Sequence, residues 1–346
     1  MTGTSLDGLD VALVCIDGAG ADIKATLVDA ASRSLGDLAP RLRALASNQP
    51  HAAIEFAAAA RDLAIAHADA ILALDGPTID FAVCHGQTIL HRPPLSWQIL
   101  NPAVVAATID RPVLSDLRAA DLARGGQGAP ITPMADAVLF RNAPADSVIV
   151  NLGGFCNISV LDAPERGGDV CACNHILDGV ARRLLNARFD ANGDAAASGR
   201  VRGDLVARIA DALDGQAASG RSLGSGDECD DLLAALAAET TGPDLAASAC
   251  RAIAERIARS TDGRPLVLAG GGARNRTLVA AIRDAAGGDV RLSDEFGAPV
   301  GHREAMGMAV LGALCQDGDS ITIPDVTGRS PGPCVCGSWT GLEMRR

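Results

Sequence analysis

Residues 147–161 read SVIVNLGGFCNISVL: an apolar run, an Asn151-Leu152-Gly153-Gly154 turn, and a second apolar run. The two runs are short and β-branched, which predicts strands over 147–151 and 157–161. Residues 3–16 have a related layout, a GTSLDG turn running into an apolar strand over 10–16. A phosphate-contacting turn repeated in each half is the layout of a duplicated nucleotide-binding fold, although so short a repeat does not establish duplication. A third turn, AGGGARN at 269–275, follows the run PLVL and precedes a helix. Strand, glycines, helix is the order that sets a phosphate at a helix N-terminus. None of these turns is the dinucleotide GxGxxG or the P-loop with its Gly-Lys-Ser/Thr ending. Three in one chain favour nucleotide binding over purely structural turns.

Outward from these turns, strand-like runs at 25–28, 81–84, 113–114 and 265–269 alternate with helical patterns. The helices are expected at 35–47, 52–74, 129–141, 174–189, 202–213, 230–238, 244–260, 275–286 and 303–315, several opening at Asp or Asn caps. This alternation is that of an α/β protein. The Pro/Asp/Asn-rich stretch at 141–146 marks a boundary between an N-terminal domain, 1–143, and a C-terminal domain, 144–346, with a C-terminal tail returning to the first.

Hydrophobic residues make up 48% of the 346, enough for packed interiors, but aromatics make up only 2% and Tyr is absent. The cores are therefore built from Ala, Val, Leu and Ile, and platforms for stacking bases are scarce. A formal charge of −12 supplies no cationic field for a nucleic-acid backbone. It leaves room for ATP, which needs only a local site with a metal ion. No apolar stretch reaches the roughly 18 residues of a membrane span. MTGTSLDGLD has no basic segment leading into an apolar run, so no secretory signal is read. Ten irregularly spaced cysteines are then expected to be reduced thiols in a cytoplasmic protein. The pairs Cys171/Cys173 and Cys334/Cys336 have C-x-C spacing, not that of a zinc site.

The chemistry-bearing residues sit at turns and strand ends. Between Gly3 and Gly8 lie two hydroxyls and Asp7; backbone N–H groups in such a turn approach phosphate, and Asp7 or Asp10 can hold a hydrated Mg²⁺. A plain hairpin entrance fits the same residues equally well. His85-Gly86-Gln87-Thr88 ends a strand, and with Gln98 and Asn101 offers a network for sugar hydroxyls. Asp116, at another strand end two residues before Arg118, suits a general base on a hydroxyl or water, or alternatively a surface Asp–Arg pair.

Taken together, GTSLDGLDVAL, CHGQTILHRP, WQILNPAVVA, PVLSDLRAADLARGGQGAPITP, VNLGGFCNISVL, AGGGARN, EAMGMAVLG and IPDVTG resemble, in order, the anhydro-N-acetylmuramic acid kinases. The resemblance covers residues 2–341. It implies the sugar kinase/heat-shock ATPase/actin fold: α/β, two-domain, actin-like and ribonuclease H-like, with a central cleft. It implies an ATP- and Mg²⁺-dependent reaction in which water opens the 1,6-anhydro ring of anhydro-N-acetylmuramic acid and O6 is phosphorylated, as in cell-wall recycling. Asp116 matches the catalytic base and Glu304 a sugar-facing carboxylate. Gly3, Thr4, Ser5, Leu6, Asp7, Gly8, Leu9 and Asp10 match the first phosphate loop, with Asp7 toward the metal. Asn151, Gly153, Gly154 and Asn157 resemble the second phosphate turn, and Gly270, Gly271, Gly272 and Asn275 the adenosine-side turn. His85, Gln87, Thr88, Gln98, Asn101 and Arg118 are the implied substrate-side groups. The expected partner is a small anhydro-sugar, with neither nucleic acid nor membrane, and a homodimer is allowed.

Two departures stand out. The family usually opens with an apolar strand running into the first loop, whereas here Met1 stands almost at it; a mis-assigned start or a weakened ATP site is expected. DVCACN at 169–174 replaces the commoner Asp-Thr-Gly-Pro-Gly-Asn, keeping Asp169 and Asn174 and losing both glycines; remodelled specificity is expected, with Cys171 and Cys173 as packing residues. Another anhydro-sugar such as levoglucosan, or a non-catalytic sugar- or nucleotide-binding descendant, are the alternatives.

Overall fold

The computed structural model describes all residues except 3–5, 7, 48, 219–222, 224, 225, 333, 335 and 342–346. The chain forms two compact units, Met1–Arg141 with His302–Arg346, and Asn142–Gly301. The two units divide between Arg141 and Asn142 and again between Gly301 and His302. The expected second domain, 144–346, is too long: more than a tail rejoins the first unit, because a whole apolar helix is buried there.

In chain order the first unit contains β1 (Leu9–Asp17), β2 (Lys24–Arg33), α1 (Leu38–Leu45), α2 (Ala53–Leu72), β3 (Ala82–Val83), β4 (Gln87–Arg92), β5 (Leu95–Ile99), α3 (Pro102–Ile109), β6 (Val113–Ser115), α4 (Ala119–Ala123) and α5 (Thr132–Leu139). The second contains β7 (Val148–Leu152), β8 (Phe155–Val160), β9 (Gly168–Ala172), α6 (Asn174–Val180), α7 (Asp194–Ser198), α8 (Gly203–Ala218), α9 (Asp230–Ala237), α10 (Gly242–Thr261), β10 (Leu266–Ala269), α11 (Arg276–Ala286) and β11 (Val290–Leu292). The chain then returns to the first unit with α12 (Arg303–Asp317), α13 (Pro324–Thr327) and β12 (Ser338–Thr340).

The second unit is built on one sheet in the order β11-β10-β7-β8-β9. β10 runs parallel to β7 and β11, while β8 runs antiparallel to β7 and β9. Three strands in a meander followed by two parallel crossovers is the ribonuclease H-like arrangement. The unbroken apolar runs of β7 and β10, buried at every position, are what central strands covered on both faces require. Ile176, Leu205, Leu213, Ile253, Leu278 and Ile282 belong to the same buried cluster as these strands, each contributing about 1.5–3 kcal/mol by its burial. Cys171 and Cys173 are wholly buried there, as packing residues are. The structure places Asp169–Ala172 in an edge strand, β9, which the Gly167-Gly168 pair at its start hides in the sequence. The helix expected over 174–189 is α-helical only to Val180, continues as a π-helical turn over Ala181–Leu185, and stops at Asn186 with φ 51°.

In the first unit β3 pairs in parallel with β6, which β12 flanks antiparallel, and β1 and β2 form an antiparallel pair. Met1 and Thr2 lie antiparallel to the start of β1: Met1 and Asp10 exchange backbone hydrogen bonds of 2.5 and 2.9 Å, and Thr2 bridges Leu9. Helix α12 packs on β1, β3 and α5, so Val310, Leu311 and Leu314 share a core with Leu114 and Ile131. This explains why 302–346 belongs with the first unit. The β4–β5 hairpin was not anticipated, because Pro93-Pro94 at its tip reads as a breaker of both strands. The helix expected at 129–141 is the shorter α5, which opens at Thr132 after Pro130 and carries Pro133 in its first turn, where no intrahelical N–H donor is needed.

Candidate active site

Parallel pairing of β3 with β6 brings the residues that follow them, His85–Gln87 and Asp116–Arg118, out at one end of the sheet, where α/β proteins place ligands. Asp116 holds φ 56°, the left-handed region uncommon for a residue with a side chain. Its exposed carboxylate makes no hydrogen bond or ion pair among the described residues. A carboxylate turned out on strained backbone and left unpaired is available to take a proton.

Arg118 is the hub beside it. Its Nε donates to His85 Nε2 at 2.9 Å, and a terminal nitrogen donates to the Gly128 carbonyl at 2.6 Å. Since Nε2 of His85 accepts, its proton sits on Nδ1, which donates to the Gly86 carbonyl at 3.0 Å. Burial, reinforced by the Arg118 charge, lowers the His85 pKa to about 3, so the ring is neutral. Burial also lowers the Arg118 pKa to about 10, against the opposing pull of Glu304 and Asp121; the guanidinium stays charged at neutral pH. Glu304, the second residue of α12, therefore lies close enough to favour that cation. The start of α12 is anchored by a buried ion pair: Arg303 Nε donates to Asp136 at 2.9 Å, and a terminal nitrogen makes a second bond.

Gln87 is buried, with its side-chain carbonyl oxygen unpartnered. An orphaned acceptor at this position suits a hydroxyl donor such as a sugar. Thr88 and Gln98 face each other across the hairpin, and the Gln98 amide donates to Ser96 at 2.8 Å. Asn101 is spent otherwise: its side chain caps α3 by accepting from Val104 N at 3.4 Å. Of the first loop, Gly3, Thr4, Ser5 and Asp7, the metal candidate, lie outside the described residues. Leu6 has φ 55° and is buried, Gly8 abuts the Arg33 carbonyl, and Leu9 opens β1. Asp10 accepts from Ser32 Oγ at 2.5 Å, and Ser32 Oγ lies 3.2 Å from His302 Nε2. Ser32 and His302 were missed in the sequence: a serine late in a strand has no motif, and the register that aligns it with Asp10 is tertiary.

In the second unit the two glycine turns meet. A Cβ on Gly270 would stand 2.7 Å from Asn151 Oδ1 and 2.9 Å from the Leu152 carbonyl; one on Gly272 would stand 2.8 Å from both Asn174 Oδ1 and Leu152 Cβ. Only glycine permits this approach of the β10 turn, with Gly271 between, to the β7–β8 turn. The carbonyls of Gly153 and Gly154 accept from Asn174 N (3.0 Å) and Cys173 N (2.9 Å), tying the turn to the start of α6. Asn151 and Asn157 are paired across β7 and β8. Asn275 caps α11 through Leu278 N at 2.9 Å, a structural use. The turns thus lie side by side at the ends of β7 and β10, with the N-terminus of α11 following, the arrangement suited to an anionic nucleotide tail. His175, its ring tilted against Phe155 with centroids 4.6 Å apart and lying over Gly154, completes the wall; the altered DVCACN segment delivers it there.

The family model for anhydro-N-acetylmuramic acid kinase matches residues 1–340. Among similar curated proteins are the anhydro-N-acetylmuramic acid kinases of Salinibacter ruber, 32% identical over 95% of this chain and 92% of that one, and of Bordetella pertussis, 34% identical over 95% and 91%. Among solved structures, component A of the Acidaminococcus fermentans (R)-2-hydroxyglutaryl-CoA dehydratase aligns over 87% of this chain and 96% of its own, with 14% identity and a TM-score of 0.42. The match runs through both units and through every turn described above, and the chain belongs to the anhydro-N-acetylmuramic acid kinase family.

Proposed function

We propose that this phosphotransferase opens the 1,6-anhydro ring of anhydro-N-acetylmuramic acid with water and phosphorylates O6 from ATP, giving N-acetylmuramic acid 6-phosphate in the cytoplasm. The observation that carries the reading is the unpaired Asp116 carboxylate on left-handed backbone beside the Arg118–His85 pair. Asp116 takes a proton from water as its oxygen bonds to the anomeric carbon. The C1–O6 bond breaks, and O6 forms a bond to the γ-phosphorus while the bond from that phosphorus to the β,γ-bridging oxygen breaks and ADP leaves. Asp116 thereby supplies the basicity that water lacks. Gln87 accepts from a sugar hydroxyl, and Arg118 holds positive charge near the reacting oxygens.

The adjoining glycine turns of the second unit hold the phosphates through backbone N–H groups. Mg²⁺ on ATP needs only one or two protein carboxylates beside phosphate and water. Asp10, with one oxygen engaged by Ser32, fits that sparse demand. When bound, the ion offsets charge on the transferring phosphoryl group. The test is ADP release from Mg²⁺ATP by purified protein with anhydro-N-acetylmuramic acid, levoglucosan or no sugar. Turnover only with the first supports the reading, turnover with levoglucosan alone changes the substrate, and no sugar-dependent turnover refutes it.

A further inference from the structure

The first unit holds a buried polar chain that the proposed reaction leaves unused. Asp121, in α4, has no exposed surface. One carboxylate oxygen accepts from Gly128 N at 2.8 Å; the other accepts from Thr327 Oγ1 at 2.7 Å and faces Arg329 Nε at 3.6 Å. Arg329 is only 4% exposed; its Nε donates to Thr322 Oγ1 at 2.9 Å, and its terminal nitrogens donate to Ser320 Oγ and to the carbonyls of Thr322, Ser330 and Gly332. Gly126 must be glycine, because a Cβ would collide with the Asp121 carboxylate and lie 2.8 Å from Arg329 Cβ.

The far side of this cluster leads to the site. The Gly128 peptide is held on both faces, its N–H by Asp121 and its carbonyl by Arg118, whose Nε in turn holds His85. A continuous hydrogen-bonded path therefore runs from Thr327 through Asp121 and Gly128 to Arg118, with Arg329 joined to it by the ion pair to Asp121. Stability alone does not call for it, since a buried ion pair is commonly no better than apolar packing. We propose that Asp121 and Arg329 are positioning residues: they fix the glycine turn at 125–128 and, through the Gly128 carbonyl, the orientation of Arg118 toward the sugar. The proposal rests on the kinase reading for its kinetic consequence, but not for the coupling itself.

The test uses the full chain carrying Asp121→Asn, Arg329→Met or Thr327→Val, each alone and with Arg118→Lys. Asp121→Asn and Arg329→Met are expected to lower kcat/KM for the sugar about tenfold with KM for ATP unchanged. In the Arg118→Lys background the same changes shrink to about twofold or less, because the path no longer has an end to hold. A lowered melting temperature with parental kinetics, or losses that simply multiply with Arg118→Lys, overturns the proposal. Where either charge variant fails to fold, Thr327→Val removes one hydrogen bond to Asp121 and is expected to show about threefold loss with the same coupling; parental kinetics there are equally fatal. If the parent shows no sugar-dependent turnover, the kinase reading fails and the coupling is decided by the Arg118 Nε–H resonance in ¹⁵N NMR. A shift in Thr327→Val and Asp121→Asn supports the path, and an unmoved resonance overturns it.

Discussion

Gly270→Ala tests the nucleotide-side geometry most sharply. Gly270 sits at φ 85° and ψ 169°, a region reserved almost entirely for glycine, where another residue costs of order 1–3 kcal/mol. The added methyl would also press on Asn151 Oδ1 and the Leu152 carbonyl at 2.7 and 2.9 Å, so the end of β7 must give way at a further cost of about 1–3 kcal/mol. At about 2–4 °C per kcal/mol for a unit of this size, the melting temperature is expected to fall by roughly 4–24 °C. Gly271→Ala is the matched control: its Cβ would find only Asn174 Nδ2 at 3.9 Å, an ordinary contact. Thermal melts with and without Mg²⁺ATP, together with ATP titration, read both variants. Gly270→Ala should melt early and bind ATP at least about tenfold more weakly, since losing 1.4 kcal/mol suffices for that. Gly271→Ala should melt with the parent and lose about fivefold in ATP affinity, because the methyl stands where phosphate approaches the backbone. A Gly270→Ala protein that melts with the parent would refute the geometry, and parental ATP affinity in Gly271→Ala would remove that residue from the nucleotide site.

Asp116→Asn should reduce sugar-dependent ADP release by about 10²–10⁴-fold, the usual worth of a general base, while ATP titration is unchanged; retained turnover would exclude it as the base. Asp136→Asn or Arg303→Met alone should destabilise by about 3–5 kcal/mol by stranding a buried charge, whereas an apolar pair at both positions recovers much of the loss, as chemical denaturation would show. Burial lowers the pKa of both His67 and His85 to about 3. Their unfolded forms take up protons below about pH 6.5 while the folded forms do not. Their contribution to stability is thus whole above that pH and is lost as pH falls toward 3. Unfolding between pH 6 and 5 should take up about two protons, with stability falling by about 2–3 kcal/mol per unit; a flat stability profile there would contradict the buried neutral rings.

The central strands of the second unit were legible because burial on both faces writes itself as the unbroken runs SVIV and PLVL. Helix α12 was legible as an element but not as a member of the first unit, since an apolar helix carries no mark of the sheet it covers. The hairpin β4–β5 was hidden by Pro93-Pro94, and β9 by Gly167-Gly168 at its start. At the site, Asp116, Arg118 and His85 follow strands, and position at a strand end is a sequence-level signal. Their mutual hydrogen bonds, the collision that makes Gly270 obligatory, and the Asp10–Ser32–His302 contact depend on register and on segments far apart in the chain, which no local pattern encodes. Asn101 and Asn275 show the converse, residues that fit a binding motif but are occupied as helix caps.

The most direct test of the account is a turnover in H₂¹⁸O with Mg²⁺ATP and anhydro-N-acetylmuramic acid, followed by mass spectrometry of the products. The account predicts stoichiometric ADP, a 6-phosphorylated sugar carrying ¹⁸O at C1, and no label in the phosphate. No sugar-dependent ADP, or label found only in released inorganic phosphate, would contradict it.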